Sequence, residues 1–133
     1  METQRHKDTE IEKINPVTFR IIGAAIEVHR LLGPGLVESI YEPALCVELQ
    51  LRQLRYARQV PVAAMYKGHL VGEYRVDLIV EDSVVVEVKS VAAIAPIMDV
   101  QLRTYLRLTG KRLGLILNFN AKVMKEGVSR IVL

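Results

Sequence analysis

Asp77, followed after a short gap by Glu87-Val88-Lys89, has the residue types and spacing of a small hydrolytic site. Side chains alternate along a β-strand, so in "VVVEVKS" (84–90) Val85, Glu87 and Lys89 share one face and Val84, Val86 and Val88 the other. In the preceding run Tyr74, Val76, Leu78 and Val80 form an apolar face, with Glu73, Arg75, Asp77 and Ile79 opposite. The turn decides whether the two polar faces meet. A three-residue loop, Glu81-Asp82-Ser83, sets Val80 against Val84 and Asp77 against Glu87; a two-residue loop pairs positions of opposite parity. The three-residue loop is the one expected here. It brings the β-carbons of Asp77 and Glu87 to about 5 Å and puts Arg75 opposite Lys89.

Two carboxylates at that distance raise one another's pKa unless a cation lies between them. A hard divalent ion, Mg²⁺ or Mn²⁺, with water completing its shell answers that need. Lys89, on the same face, can then orient or deprotonate a bound water or stabilise charge developing on a phosphate. The same residues also suit an arrangement without chemistry, an exposed sheet face on which Glu87 pairs with Arg75 and Asp77 with Lys89.

The surrounding elements must position these groups. Asn15-Pro16 reads as a helix start after a polar lead over residues 1–15, and Val17, Ile21, Ala24, Val28 and Leu32 recur at helical spacing. Gly33-Pro34-Gly35 breaks that helix, and a second follows over about 36–55. Short β-type runs at 60–66, 70–80 and 84–88, separated by Lys67-Gly68 and a turn near Asp82, form an antiparallel meander. A third helix is expected over 92–108, with Pro96 in its first turn. "LGLILNF" (113–119) is almost wholly apolar and reads as a strand covered on both faces, with a short last strand at 128–133. The order α-α-β-β-β-α-β-β implies one layered α/β domain over 16–133.

Composition sets the outer bounds. The chain of 133 residues is half apolar and a quarter charged, as globular proteins are, and its net charge of +3 permits a polyanionic partner without demanding one. Cys46 is the only cysteine, and His6, His29 and His69 are too dispersed for a Cys/His zinc site. With no signal-like or membrane-length apolar run, no membrane association is expected and the cytoplasm is the expected location. His29 reads as a core or boundary histidine; Glu27, Glu42 and Glu48 read as solvated helix faces, and Arg52, Arg55, Arg58, Lys111 and Arg112 as ordinary surface cations.

Three motifs point further. Asp77 with Glu87-Val88-Lys89 resembles the core of the PD-(D/E)XK nuclease superfamily, with Val76 where that motif often has proline. "GLVESIY" (35–41) matches the GxxExxY signature of one of its families, and "QLRTY" (101–105) resembles the QxxxY element of its exonuclease-like branch. The resemblance extends from about Phe19 to Asn120 and implies a three-layer α/β/α sandwich around a mixed sheet, the restriction-endonuclease-like core. It implies that Asp77 and Glu87 bind the metal, that Lys89 is the catalytic lysine, and that Glu38 adds a carboxylate directly or through water. Tyr41, one turn on, would steady Glu38, touch substrate or simply pack. Gln101 and Tyr105 project together from the third helix, and a buried Gln101 would need a partner, for which a metal water, a DNA phosphate or a nearby backbone group would serve. The implied activity is Mg²⁺- or Mn²⁺-dependent hydrolysis of nucleic acid, DNA ahead of RNA. The alternative is a catalytically silent module of the same fold that binds nucleic acid or a protein. A homodimer or a protein partner would supply the specificity surface that so small a domain lacks.

Overall fold

The computed structural model describes residues 4–133, with the side chains of residues 4–8, His6 among them, outside the description. The first helix, α1, runs over Gln4–Leu32, so it begins well before Asn15 and passes through Pro16. The polar composition of the lead concealed an apolar stripe: Ile11, Ile14 and Val17 continue the helical spacing and pack on the core. Pro16 removes one helical N–H, a cost that this packing outweighs. An ion pair of 2.8 Å between Glu10 and Arg112 also ties the early turns down. The helix stops at Gly33, whose φ of 70° is left-handed and whose N–H reaches the carbonyl of His29.

The second helix, α2, spans Glu38–Leu51 and buries Tyr41, Leu45 and Leu49. Strands β1 (Tyr56–Tyr66) and β2 (His69–Val80) form a hairpin through Lys67-Gly68, both with positive φ, the geometry that matches strand twist in a two-residue turn. The three-residue loop Glu81-Asp82-Ser83 leads into β3 (Val84–Lys89). The crossover helix α3 (Pro96–Thr109) starts at Pro96 and not at Ala92, with proline in the first turn where its missing N–H costs nothing. It delivers β4 (Leu113–Asn118) parallel to β3, and β5 (Val128–Val132) returns antiparallel to β4.

The sheet order is β1-β2-β3-β4-β5, mixed because of the single parallel pair. Helices α1 and α2 cover one face, over a core that includes Leu78, Val84, Val86, Val88, Leu115 and Phe119. Helix α3 covers the other face with Leu102 and Leu106 over Val85 and Ile116. Its approach is close: a Cβ on Gly114 would lie 2.8 Å from the side chain of Leu102. This is a three-layer α/β/α sandwich, and β4 is buried along its whole length. Among the described residues no helix is long and apolar enough to cross a membrane.

Candidate active site

The hairpin register is the one the three-residue loop dictates: Val80 faces Val84, Ile79 faces Val85 and Leu78 faces Val86. The next step would pair Asp77 with Glu87, and there the ladder ends. Asp77 replaces it with its side chain, Oδ2 accepting the backbone N–H of Val88 at 2.8 Å. Beyond this point β2 pairs with β1 alone. Arg75 therefore does not reach Lys89; its Cα partner is Pro61, and its guanidinium stands 3.7 Å from Glu73.

Opposite Asp77 on β1, Gln59 has a φ of 52°, a left-handed conformation uncommon for any residue but glycine. The side-chain alternation slips at this step. Leu78 and Val80 pack with α1 and α2, whereas Val76 joins Ile79 in the core beneath α3, so positions 74–80 do not share the single apolar face that strict alternation predicts.

Glu87 is 7% exposed, and its Oε1 is buried without a hydrogen-bond partner. Burial, and after it the hydrogen bonding and charge of Asp77, push its carboxyl up to about 9, against a smaller opposing pull from Lys89. Tyr105 of α3 lies near enough for Glu87 and Asp77 to help raise its hydroxyl, burial being the main cause. Lys89 is half-buried and has no ion-pair partner within 4.0 Å among the described residues. Neither a Glu87–Arg75 nor an Asp77–Lys89 ion pair forms among them, which removes the ion-pair ladder.

The end of β3 is fixed from two sides. Phe119 donates its N–H to the carbonyl of Lys89 at 2.9 Å, and the buried Asn118 side chain both accepts from and donates to the backbone of Val91. On the other side Ser90 donates its hydroxyl to the carbonyl of Leu36, and its N–H lies 3.3 Å from Oε1 of Glu38. Tyr41 is fully buried and stacked on Phe119 at 4.7 Å, with its hydroxyl bridging the carbonyl of Gly33 and the N–H of Leu36. Tyr41 thus acts on the Gly33–Leu36 loop from inside and does not face solvent.

The model of the PD-(D/E)XK nuclease superfamily matches residues 15–131 of this sequence. The chain belongs to the PD-(D/E)XK nuclease superfamily. Neither the curated proteins nor the solved structures yielded a match. PD-(D/E)XK nucleases act on nucleic acid and generally use divalent metal ions. The chemistry of this pair suits such an ion: Glu87 offers a buried oxygen without a partner, and Asp77 is a second carboxylate beside it, so a cation would take the place of the proton that Glu87 otherwise keeps. Among the described residues no group of three or more His, Cys, Asp or Glu side chains is gathered for a metal, so Glu38 is not drawn into one cluster with Asp77 and Glu87.

Two expectations about neighbouring residues fail in this PD-(D/E)XK protein. Gln101 is exposed, not buried, and its side chain makes no hydrogen bond to a described residue. Glu42 is not a solvated face residue; it is 7% exposed and accepts from Arg58 at 2.6 Å and from the Gln59 amide at 2.9 and 3.0 Å. The same amide reaches Oδ1 of Asp77 at 3.4 Å, linking α2 to the site. One signal for Glu42 was legible, since it lies one helical turn from Glu38. Gln59 was not, because register counted back from the Lys67-Gly68 turn sets Arg58 against Asp77. The irregularity at Ala64/Met65 moves the pairing by one residue. His29 is a boundary residue as expected, its Nε2 2.8 Å from the carbonyl of Ala121.

Proposed function

We propose that this superfamily member is of the GxxExxY branch and is a Mg²⁺-dependent nuclease, with Mn²⁺ as a substitute, that hydrolyses phosphodiester bonds in DNA ahead of RNA. The observation that carries this reading is the buried Glu87 carboxyl, raised to about 9 and with Oε1 unpartnered, beside Asp77. A protein gains nothing structural from holding two carboxyls together out of water, and removing the charge by protonation is only one remedy. Asp77 and Glu87 would hold the ion, which when bound supplies charge neutralisation and a more acidic water. Asp77 is oriented for this by Val88 and Gln59.

Lys89, without an ion-pair partner at the end of the same strand, brings its ammonium to the phosphate oxygens as charge builds there. Glu38, hydrogen-bonded to Ser90 one residue beyond Lys89, orients water at the edge of the site. Gln101 and Tyr105 line its α3 side, and Tyr41 supports the loop that precedes Glu38.

Calorimetric titration with Mg²⁺ and Mn²⁺, on wild type and Glu87→Gln, followed by incubation with single- and double-stranded DNA and RNA, tests the reading. Metal binding lost in Glu87→Gln, with cleavage reduced by about 10²- to 10³-fold in Lys89→Ala, is the expected outcome. Wild type that binds neither ion and cuts nothing overturns it. A second reading, a silent module, is favoured by the absence of a third acidic ligand among the described residues. It predicts retention of nucleic acid without cleavage at any metal concentration.

A further inference from the structure

The hairpin beyond Asp77 carries a large aromatic residue that the catalytic reading does not use. Tyr74 is 43% exposed, yet its ring is not loose: it lies 5.5 Å from the ring of Tyr105, tilted by 60°, the edge-on contact that aromatic pairs favour. Tyr105 in turn packs against the core beneath α3 that holds Val76, next to Asp77, and Val85, two residues before Glu87 on the same strand face. Single exposed aromatics are ordinary on protein surfaces, but this one is braced by a residue packed on the sheet face that carries Glu87. One helical turn before Tyr105, the exposed Gln101 amide offers donors and an acceptor that no described residue uses.

We propose that Tyr74, held by Tyr105 and accompanied by Gln101, is a stacking platform for one unstacked nucleobase, and that the substrate is therefore single-stranded nucleic acid or the splayed end of a duplex. This rests on the nuclease reading. Inside a duplex every base face is covered by its neighbours, so away from the ends a ring at the edge of a phosphodiester site can meet a base only after that base has left the stack. Stacking tolerates all four bases, so the platform selects for strand state and not for sequence. The Gln101 amide is placed to meet a base edge or an adjacent phosphate beside the stacked base.

The test measures cleavage kinetics for wild type, Tyr74→Ala and Tyr74→Phe with Mg²⁺. The substrates are a single-stranded DNA oligonucleotide, the same oligonucleotide carrying one abasic position moved along its length, and the blunt duplex. The expected result is a rise in KM on the single strand of about 5- to 150-fold in Tyr74→Ala, the range that stacking of one base spans. In that result kcat is little changed, Tyr74→Phe restores KM, and one abasic position costs wild type a similar factor but costs Tyr74→Ala almost nothing more. Tyr74→Ala that matches wild type on the single strand, or that loses single strand and duplex equally, overturns the platform while leaving the nuclease reading intact. Wild type inert on every substrate removes both.

Discussion

The two halves of β2 lie in opposite surroundings, one buried in the sheet and the other exposed. From Val76 to Val80 the strand is buried apart from the half-buried Asp77, and its last three residues are laddered on both sides, by β1 and β3. From His69 to Arg75 it is exposed throughout and, among the described residues, has β1 as its only strand neighbour, so Leu70 and Val71 face solvent and Tyr74 is 43% exposed against Tyr105. Asp77 lies at the junction. The comparison teaches where a site can form: a carboxylate deep in the laddered half would have no access to substrate, and one on the outer arm would have no buried surroundings to perturb it. At the junction a strand has just lost a neighbour, and the freed N–H of Val88 is satisfied by the side chain that needs orienting.

The largest effect expected concerns Glu87 and pH. In metal-free protein its carboxyl is raised from 4.5 to about 9, so between those values the folded state holds a proton that the unfolded state has released. The contribution of Glu87 to stability is therefore full below pH 4.5 and falls as pH rises toward 9, by at most about 1.4 kcal/mol per unit. Urea unfolding from pH 5 to 9 should show this slope, and Glu87→Gln should remove it. Added Mg²⁺ should flatten it by replacing the proton. An equal slope in both proteins would mean that Glu87 is not the buried acid.

Next in size, Leu115→Ala in the centre of β4, where the side chain is fully buried, should cost about 2–5 kcal/mol in denaturant unfolding. Glu42→Ala should cost less, about 1–3 kcal/mol, because Arg58 is nearly half exposed and can turn to water while the Gln59 amide loses its main acceptor. Its metal affinity should fall as well, since Gln59 then holds Asp77 without an anchor of its own. Smallest of all, Val71→Ala on the outer arm should lie within about 0.5 kcal/mol of wild type. A Val71→Ala cost near that of Leu115→Ala would erase the distinction between the two halves of β2.

Much of this was legible in the chain. The loop Glu81-Asp82-Ser83 and the parity of two valine-rich runs fixed the register that brings Asp77 to Glu87, because a period of two leaves few alternatives once the loop length is set. The continuous apolar run of β4 announced a strand covered on both faces, and the Lys67-Gly68 turn was readable from its glycine. The start of α1 is not legible in the sequence, because Ile11 and Ile14 are sparse among charges and show their stripe only against a core. Helical spacing puts Gln101 and Tyr105 on one side of α3 without saying what covers it, and α3 turns Leu102 and Leu106 inward and leaves Gln101 outside.

By itself, then, the sequence determined the order of the elements, the hairpin register and the closeness of Asp77 to Glu87, since those follow from periodicities and turn lengths within a short stretch of chain. Only the tertiary structure decided what those carboxylates experience. The burial that raises Glu87, the left-handed Gln59 across from Asp77 and the Glu42 that grips it from α2 all depend on groups brought together from distant parts of the chain. Local spacing carries no record of desolvation or of a one-residue slip in a neighbouring strand, and those are the terms that turn two acidic residues into a site.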